Sequence, residues 1–104
     1  MSKTRPALIV NSDTSGILPL KVVVPVTSWQ PAFAKFPWMV RIEPDAGNGL
    51  SKTSAADTFQ VRSLSATRFR NQIGELAPAI MDQIERALAL VLEITPNTNP
   101  SLAP

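Results

Sequence analysis

The chain contains no cysteine and no histidine among its 104 residues. Without cysteine there is no disulfide framework, no thiolate nucleophile and no thiolate-ligated metal. Without histidine the usual general acid/base and the commonest metal ligand are missing. Any catalysis must be built from guanidinium, ammonium, carboxylate and hydroxyl groups. No apolar run approaches the roughly 18 residues of a membrane span, and the basic start Met-Ser-Lys-Thr-Arg-Pro is not followed by a signal-peptide apolar stretch. A cytoplasmic protein that does not enter a membrane is the expectation. Glycine-rich phosphate loops, zinc-ligand spacings and a Gly-x-Ser-x-Gly elbow are also absent, so no metal or cofactor is expected.

Hydrophobic residues make up 44% of the chain, too many for a disordered polymer, and the length fits one small domain. Net charge is only +2, but it is unevenly spread. Met1 to Gln72 carries nine Lys/Arg against four Asp/Glu, or +5; Ile73 to Pro104 carries one Arg against four acids, or −3. The first part therefore has the charge of a phosphate-attracting surface, although a merely solvated surface accounts for the same asymmetry.

Arg5 to Asn11 reads as a buried strand, with Ala-Leu-Ile-Val following a proline. Asn-Ser-Asp-Thr-Ser-Gly is a dense turn signal. The β-branched run in Leu20 to Val26 makes a second strand and a hairpin with the first, with Pro25 expected at its end or on an edge. Thr27 to Phe36 reads as a loop. From Trp38 to Ile42 the pattern alternates, with Trp38, Val40 and Ile42 on the core side and Met39 and Arg41 on the other. Pro44 to Gly49 is a turn, Thr58 to Leu64 a fourth strand, and Ser65 caps a short helical turn through Phe69. Ile80, Ile84, Ala87, Leu88 and Val91 form one stripe of a helix from about Pro78 to Leu92, with Pro78 in its first turn. That stripe is core or dimer packing. Residues 1–94 form the domain, and the Pro-rich tail 95–104 is expected to be disordered. The pattern is mainly β with a C-terminal helix: a small curled sheet or barrel covered on one side.

Several short segments recur in a fixed order: Lys3-Thr4-Arg5-Pro6-Ala7-Leu8-Ile9-Val10, Val24-Pro25-Val26-Thr27-Ser28, Gln60-Val61-Arg62-Ser63-Leu64, Arg68-Phe69 and Ile73-Gly74-Glu75-Leu76. In order and spacing, over about nine-tenths of the chain, they resemble the MazF/PemK toxins of bacterial toxin–antitoxin systems. The resemblance implies a small SH3-like barrel of the CcdB/MazF/PemK type, a homodimer, and sequence-selective cleavage of single-stranded RNA (mRNA). It also implies a cognate antitoxin whose acidic, disordered segment folds into the RNA groove. On this resemblance Arg5 and Thr27 match the catalytic positions. Arg5 would stabilise the phosphorane and protonate the leaving group, and Thr27 would bind the scissile phosphate or orient the 2′-hydroxyl. The products would be a 2′,3′-cyclic phosphate and a 5′-hydroxyl, formed without metal. Lys3, Ser28, Trp29, Gln60, Arg62 and Arg68 are the candidate RNA contacts, with Trp29 able to stack on a base. Taken singly, an arginine at a strand start is a surface charge and a threonine at a strand end a turn residue; only the shared context singles them out.

The chain departs from the family in two places. The family's first strand, opening Arg-Gly-Asp-Ile or similar, is missing, which would leave an unpaired barrel edge. Where many members have Asp-Gln, this chain has Phe59-Gln60, so a mechanism using that aspartate is excluded. The general base is unassigned; Glu43 and Asp57 are the only carboxylates within view. Two alternatives remain: a shortened, non-catalytic homologue, and a CcdB-like gyrase-binding poison, which would act through the end of its C-terminal helix.

Overall fold

The computed structural model describes residues 5–11 and 18–94. Five strands and one long helix follow in order: β1 (Ala7–Ile9), β2 (Leu20–Ser28), β3 (Met39–Ile42), β4 (Ser54–Asp57), β5 (Arg62–Ser65) and α1 (Pro78–Val91). Single 3-10 turns occupy Pro31–Lys35, Thr58–Gln60 and Ala66–Arg68. The expected turn after Asn11, and the tail 95–104, lie outside the described residues.

The sheet is antiparallel, in the order β1-β2-β4-β3, and β5 also pairs with β2. β1 and β2 form the expected hairpin, Leu8 opposite Val24. The sheet is not a closed barrel: among the described residues β1 pairs only with β2, and β3 only with β4.

The strand expected over Thr58–Leu64 begins only at Arg62, as β5; Thr58–Gln60 is a 3-10 turn that separates β5 from β4, and both strands lie along one edge of β2. Val26 faces Ala56 and Val23 faces Arg62, so three steps along β2 are matched by six along its neighbour. Asp57 and Thr58 supply the interruption. Asp57 Oδ1 accepts from the Phe59 N–H at 3.2 Å, and buried Thr58 donates Oγ1–H to the Trp38 carbonyl at 2.6 Å. The same interruption explains Pro25. It lies inside β2 rather than at its end, where the opposing strand has broken away and little ladder bonding is lost to its missing N–H.

α1 lies across one face of the sheet. Ile84 and Ala87 are buried against Val24, Val40, Ile42 and Ala56, with Leu8, Ile80, Leu76 and Leu88 around them. Pro78 opens the helix at its first position and Ala77 precedes it without a side-chain cap. The Ser65 cap forms as expected, its hydroxyl accepting from the Thr67 N–H. Trp38, expected in the core, is only half-buried: it precedes β3 in a turn, stacks on Phe36 (4.9 Å) and meets Phe59 edge-on (5.5 Å). No described helix is long and apolar enough to cross a membrane.

The β3–β4 connection is tightly fixed. Asn48 is buried; its amide donates to the Glu43 carbonyl at 2.8 Å and its Oδ1 accepts from the Leu50 N–H at 3.0 Å. Segment 73–75 crosses this turn, with the Glu75 N–H bonded to the Gly47 carbonyl at 2.8 Å. Gly49 has φ +70°, and a Cβ there would lie 2.0 Å from the Ile73 carbonyl oxygen, so only glycine fits.

Candidate functional site

Strand alternation divides β2 between two surfaces. Val24 and Val26 face the helix side, so Val23, Pro25 and Thr27 face away from it. The β1–β2 register sets Ala7 opposite Pro25, and the Val26 N–H donates to the Pro6 carbonyl at 3.2 Å. Continued by two residues, this register sets Arg5 directly opposite Thr27. It is a non-hydrogen-bonded position of the ladder, where facing Cα atoms are about 4.5 Å apart and the side chains are closest. Both residues are exposed.

The row continues across the sheet, since Thr27 faces Ala55 and Ala55 faces Arg41. Arg5, Thr27, Ala55 and Arg41 therefore form one line across four strands. Buried Ala55 adds only a methyl between the threonine and the second arginine. The adjoining row holds Trp29, Thr53 and Glu43. The Trp29 N–H bonds the Thr53 carbonyl at 3.1 Å, and Thr53 Oγ1 donates to Glu43 Oε2 at 2.9 Å.

These rows are linked by side chains. Arg41 donates from Nε to Glu43 Oε1 at 2.6 Å, and its guanidinium carbon lies 5.3 Å from the Trp29 ring centroid. Phe33 meets that indole edge-on at 5.7 Å. Thr53, and then Arg41, hold the Glu43 carboxyl below the usual glutamate range. It is therefore ionised, doubly engaged and a weak base. Asp57 is engaged too, accepting at Oδ1 from the Phe59 N–H at 3.2 Å and at Oδ2 from the Gln60 amide at 2.8 Å. Both carboxylates are thus already engaged by neighbouring donors.

The other residues singled out from the sequence are scattered. Arg62 faces Val23, which points to the same side of β2 as Thr27 but is buried; Arg62 itself is exposed, four residues or roughly 13 Å along β2 from Thr27. Lys21, opposite Leu64, continues the same side. Arg5, Arg41, Arg62 and Lys21 against Glu43 and Asp57 give this face a positive excess. Gln60 is exposed but spends its amide on Asp57. Arg68 is exposed at the end of the Ala66–Arg68 turn, which is tied to the far end of the sheet by the Ala66 N–H and Pro19 carbonyl at 2.7 Å. Ser28 lies on the opposite, helix-side face, in a row with Ser54 and Ile42. Trp29 is half-buried under Arg41, so one of its faces already carries a partner. Lys3 lies outside the described residues. Arg41 was not singled out as a site residue, although the alternation of Val40 and Ile42 already turned it away from the core. Its link to Trp29, and through Glu43 to Thr53, had no sequence signal, because both depend on strand register.

This antiparallel sheet with one C-terminal helix matches the fold of solved MazF toxins. The Mycobacterium tuberculosis toxin MazF-mt6 superposes with a TM-score of 0.75 over 88% of each chain, at 21% identity. MazF in a MazE–MazF crystal structure from Deinococcus radiodurans superposes at 0.70, with 25% identity over 88% of this chain and 84% of that one. A probable endoribonuclease MazF of Mycolicibacterium smegmatis is 31% identical over 93 residues, 88% of this chain and 83% of the relative. A family model described as the PemK-like, MazF-like toxin of type II toxin–antitoxin systems matches residues 1–92. The chain belongs to that family.

Proposed function

We propose that this chain is an endoribonuclease toxin that cuts single-stranded RNA sequence-selectively at its open sheet face, with Arg5 and Thr27 as the catalytic pair. The observation that carries this reading is the cross-strand register that sets Arg5 opposite Thr27 on an exposed, positively charged face. RNA supplies its own nucleophile. The 2′-oxygen attacks phosphorus, the P–O5′ bond breaks, and a 2′,3′-cyclic phosphate and a 5′-hydroxyl result. The 2′-hydroxyl proton passes to solvent water, and a proton is delivered to the departing 5′-oxygen. Negative charge builds on the non-bridging oxygens, and a guanidinium meets two of them with its planar donor fork. Arg5 takes that role and stands as the proton donor to the 5′-oxygen. Thr27, directly across the ladder, orients the scissile phosphate or the 2′-hydroxyl. This division of labour needs no metal ion.

The same reading includes homodimerisation in the cytoplasm and neutralisation by an antitoxin. Family membership and the MazE–MazF complex of the Deinococcus relative support an antitoxin partner. An acidic segment laid along Arg5, Arg41 and Arg62 would meet complementary charge. A second reading, a non-catalytic homologue, draws on the position of Arg5, just ahead of β1, a strand that among the described residues pairs only with β2. Incubating the purified protein with mixed-sequence RNA in a chelator, then analysing the fragment ends, separates the two. Cyclic-phosphate and 5′-hydroxyl ends are expected. No cutting, or 3′-hydroxyl ends, would overturn the endonuclease reading.

A further inference from the structure

We infer that Arg41 is a second phosphate-binding residue of this face, held over Trp29 and restrained by Glu43, so that it grips the RNA backbone beside the scissile position. This rests on the endoribonuclease reading and extends it. Arg41 lies in the same row as Arg5 and Thr27, two strand spacings or about 10 Å from Thr27, with only the Ala55 methyl between. Its side chain is 57% exposed, so a ligand has access to it.

An arginine that is merely solvated has no fixed position, whereas two groups, each braced by another, fix this one. The Trp29 ring supports the guanidinium from below, and Phe33 braces that ring from the side. Glu43 binds at Nε, and Thr53 holds Glu43 from the other side. The bond to Glu43 uses Nε alone; among the described residues neither terminal nitrogen of Arg41 has a hydrogen-bond partner. Two donors thus remain free, in the planar geometry that suits a phosphate. Glu43 has a second effect, because its carboxylate repels the same phosphate. The pair sets both the position and the strength of the grip. Trp29, already covered on one side, acts as the support for Arg41.

The test uses the full chain and single-stranded 2′-O-methyl RNA, which has no free 2′-hydroxyl and cannot be cut by this chemistry. Binding is measured over a range of salt concentrations, with thermal unfolding to verify the fold of each variant. Arg41→Ala should weaken binding several-fold and reduce the slope of log K against log salt by about 0.7, the contribution of one phosphate contact on a single strand. Arg41→Lys should keep the slope but lose affinity, because the fork and the ring contact go while the charge remains. Glu43→Gln should tighten binding. A purely structural ion pair predicts otherwise: Arg41→Ala with the wild-type slope, or Glu43→Gln binding no more tightly than wild type, overturns the assignment. The Lys and Gln variants carry the test even if the alanine variant does not fold. A wild-type chain that cuts RNA alongside an unchanged Arg41→Ala slope overturns only the Arg41 inference. A wild-type chain that neither binds nor cuts RNA overturns both readings.

Discussion

The two faces of β2 use the same nine residues for opposite purposes. On the helix side Val24 meets Ile84, Ala87 and Ile42, and dispersion and apolar burial hold the domain together. On the open side Thr27 stands between Arg5 and Arg41, with Trp29, Thr53 and Glu43 in the next row. The helix face holds the main core, while the other, although Val23 and Ala55 are buried on it, leaves charged and hydroxyl groups around Thr27 in water for a ligand. The period-2 geometry of a strand makes this division possible, because each face can change without moving the other. A change on the helix face should therefore lower stability at constant activity per folded molecule, and a change on the open face should do the reverse.

The largest stability effect should come from Ile84→Ala, which removes a fully buried side chain at the centre of the helix contact. A loss of about 2–5 kcal/mol in denaturant unfolding is expected, with RNA affinity per folded molecule unchanged. An affinity that fell with stability would join the two faces that are here kept apart. Gly49→Ala should cost about 1–3 kcal/mol through backbone strain, and more if segment 73–75 cannot shift away from the new Cβ. Because this turn anchors the backbone of Glu43 through Asn48, Gly49→Ala should also weaken the Arg41 grip. Chemical-shift mapping of the Arg41 Nε would reveal this. The smallest effect concerns pH. Glu43 has a folded-state value below the ordinary 4.5, so its pairing is complete above that value and is lost only as pH falls through the lowered one. The difference in RNA affinity between wild type and Glu43→Gln should therefore stay constant from neutral pH down to about 5 and vanish at stronger acidity. A difference that faded near neutrality would contradict the Thr53–Glu43–Arg41 linkage.

Much of the helix side was legible in the sequence. The 3.6-residue stripe identified α1 to within a residue, the β-branched runs identified the hairpin, and Val40 and Ile42 alternated as core residues do. β4 was hidden because Ser54-Ala55-Ala56-Asp57 has neither β-branched nor aromatic residues. Both alanines are fully buried, Ala56 in the cluster with Ile84 and Ala87 of the helix and Ala55 between Thr27 and Arg41 on the other face. The break at Thr58 was hidden because it depends on a hydrogen bond to Trp38, twenty residues away. Pro25 read as a strand end because the gap that accommodates it is made by a different segment. On the open face, Arg5 and Thr27 stood out only through resemblance to a family. Their opposition follows from register, and so does the line to Arg41. A row running across four strands leaves no periodic trace in any one of them.

The account turns on Arg5 and Thr27 acting together on an open face that the core does not need. The most direct measurement is the single-turnover rate of RNA cleavage for wild type, Arg5→Ala and Thr27→Ala, each shown by thermal unfolding to be folded. Each substitution should lower the rate by about 100- to 1000-fold or abolish it, the cost of removing one positioned donor from a charged transition state, with the melting temperature nearly unchanged. Cleavage at the wild-type rate in either folded variant would contradict the assignment.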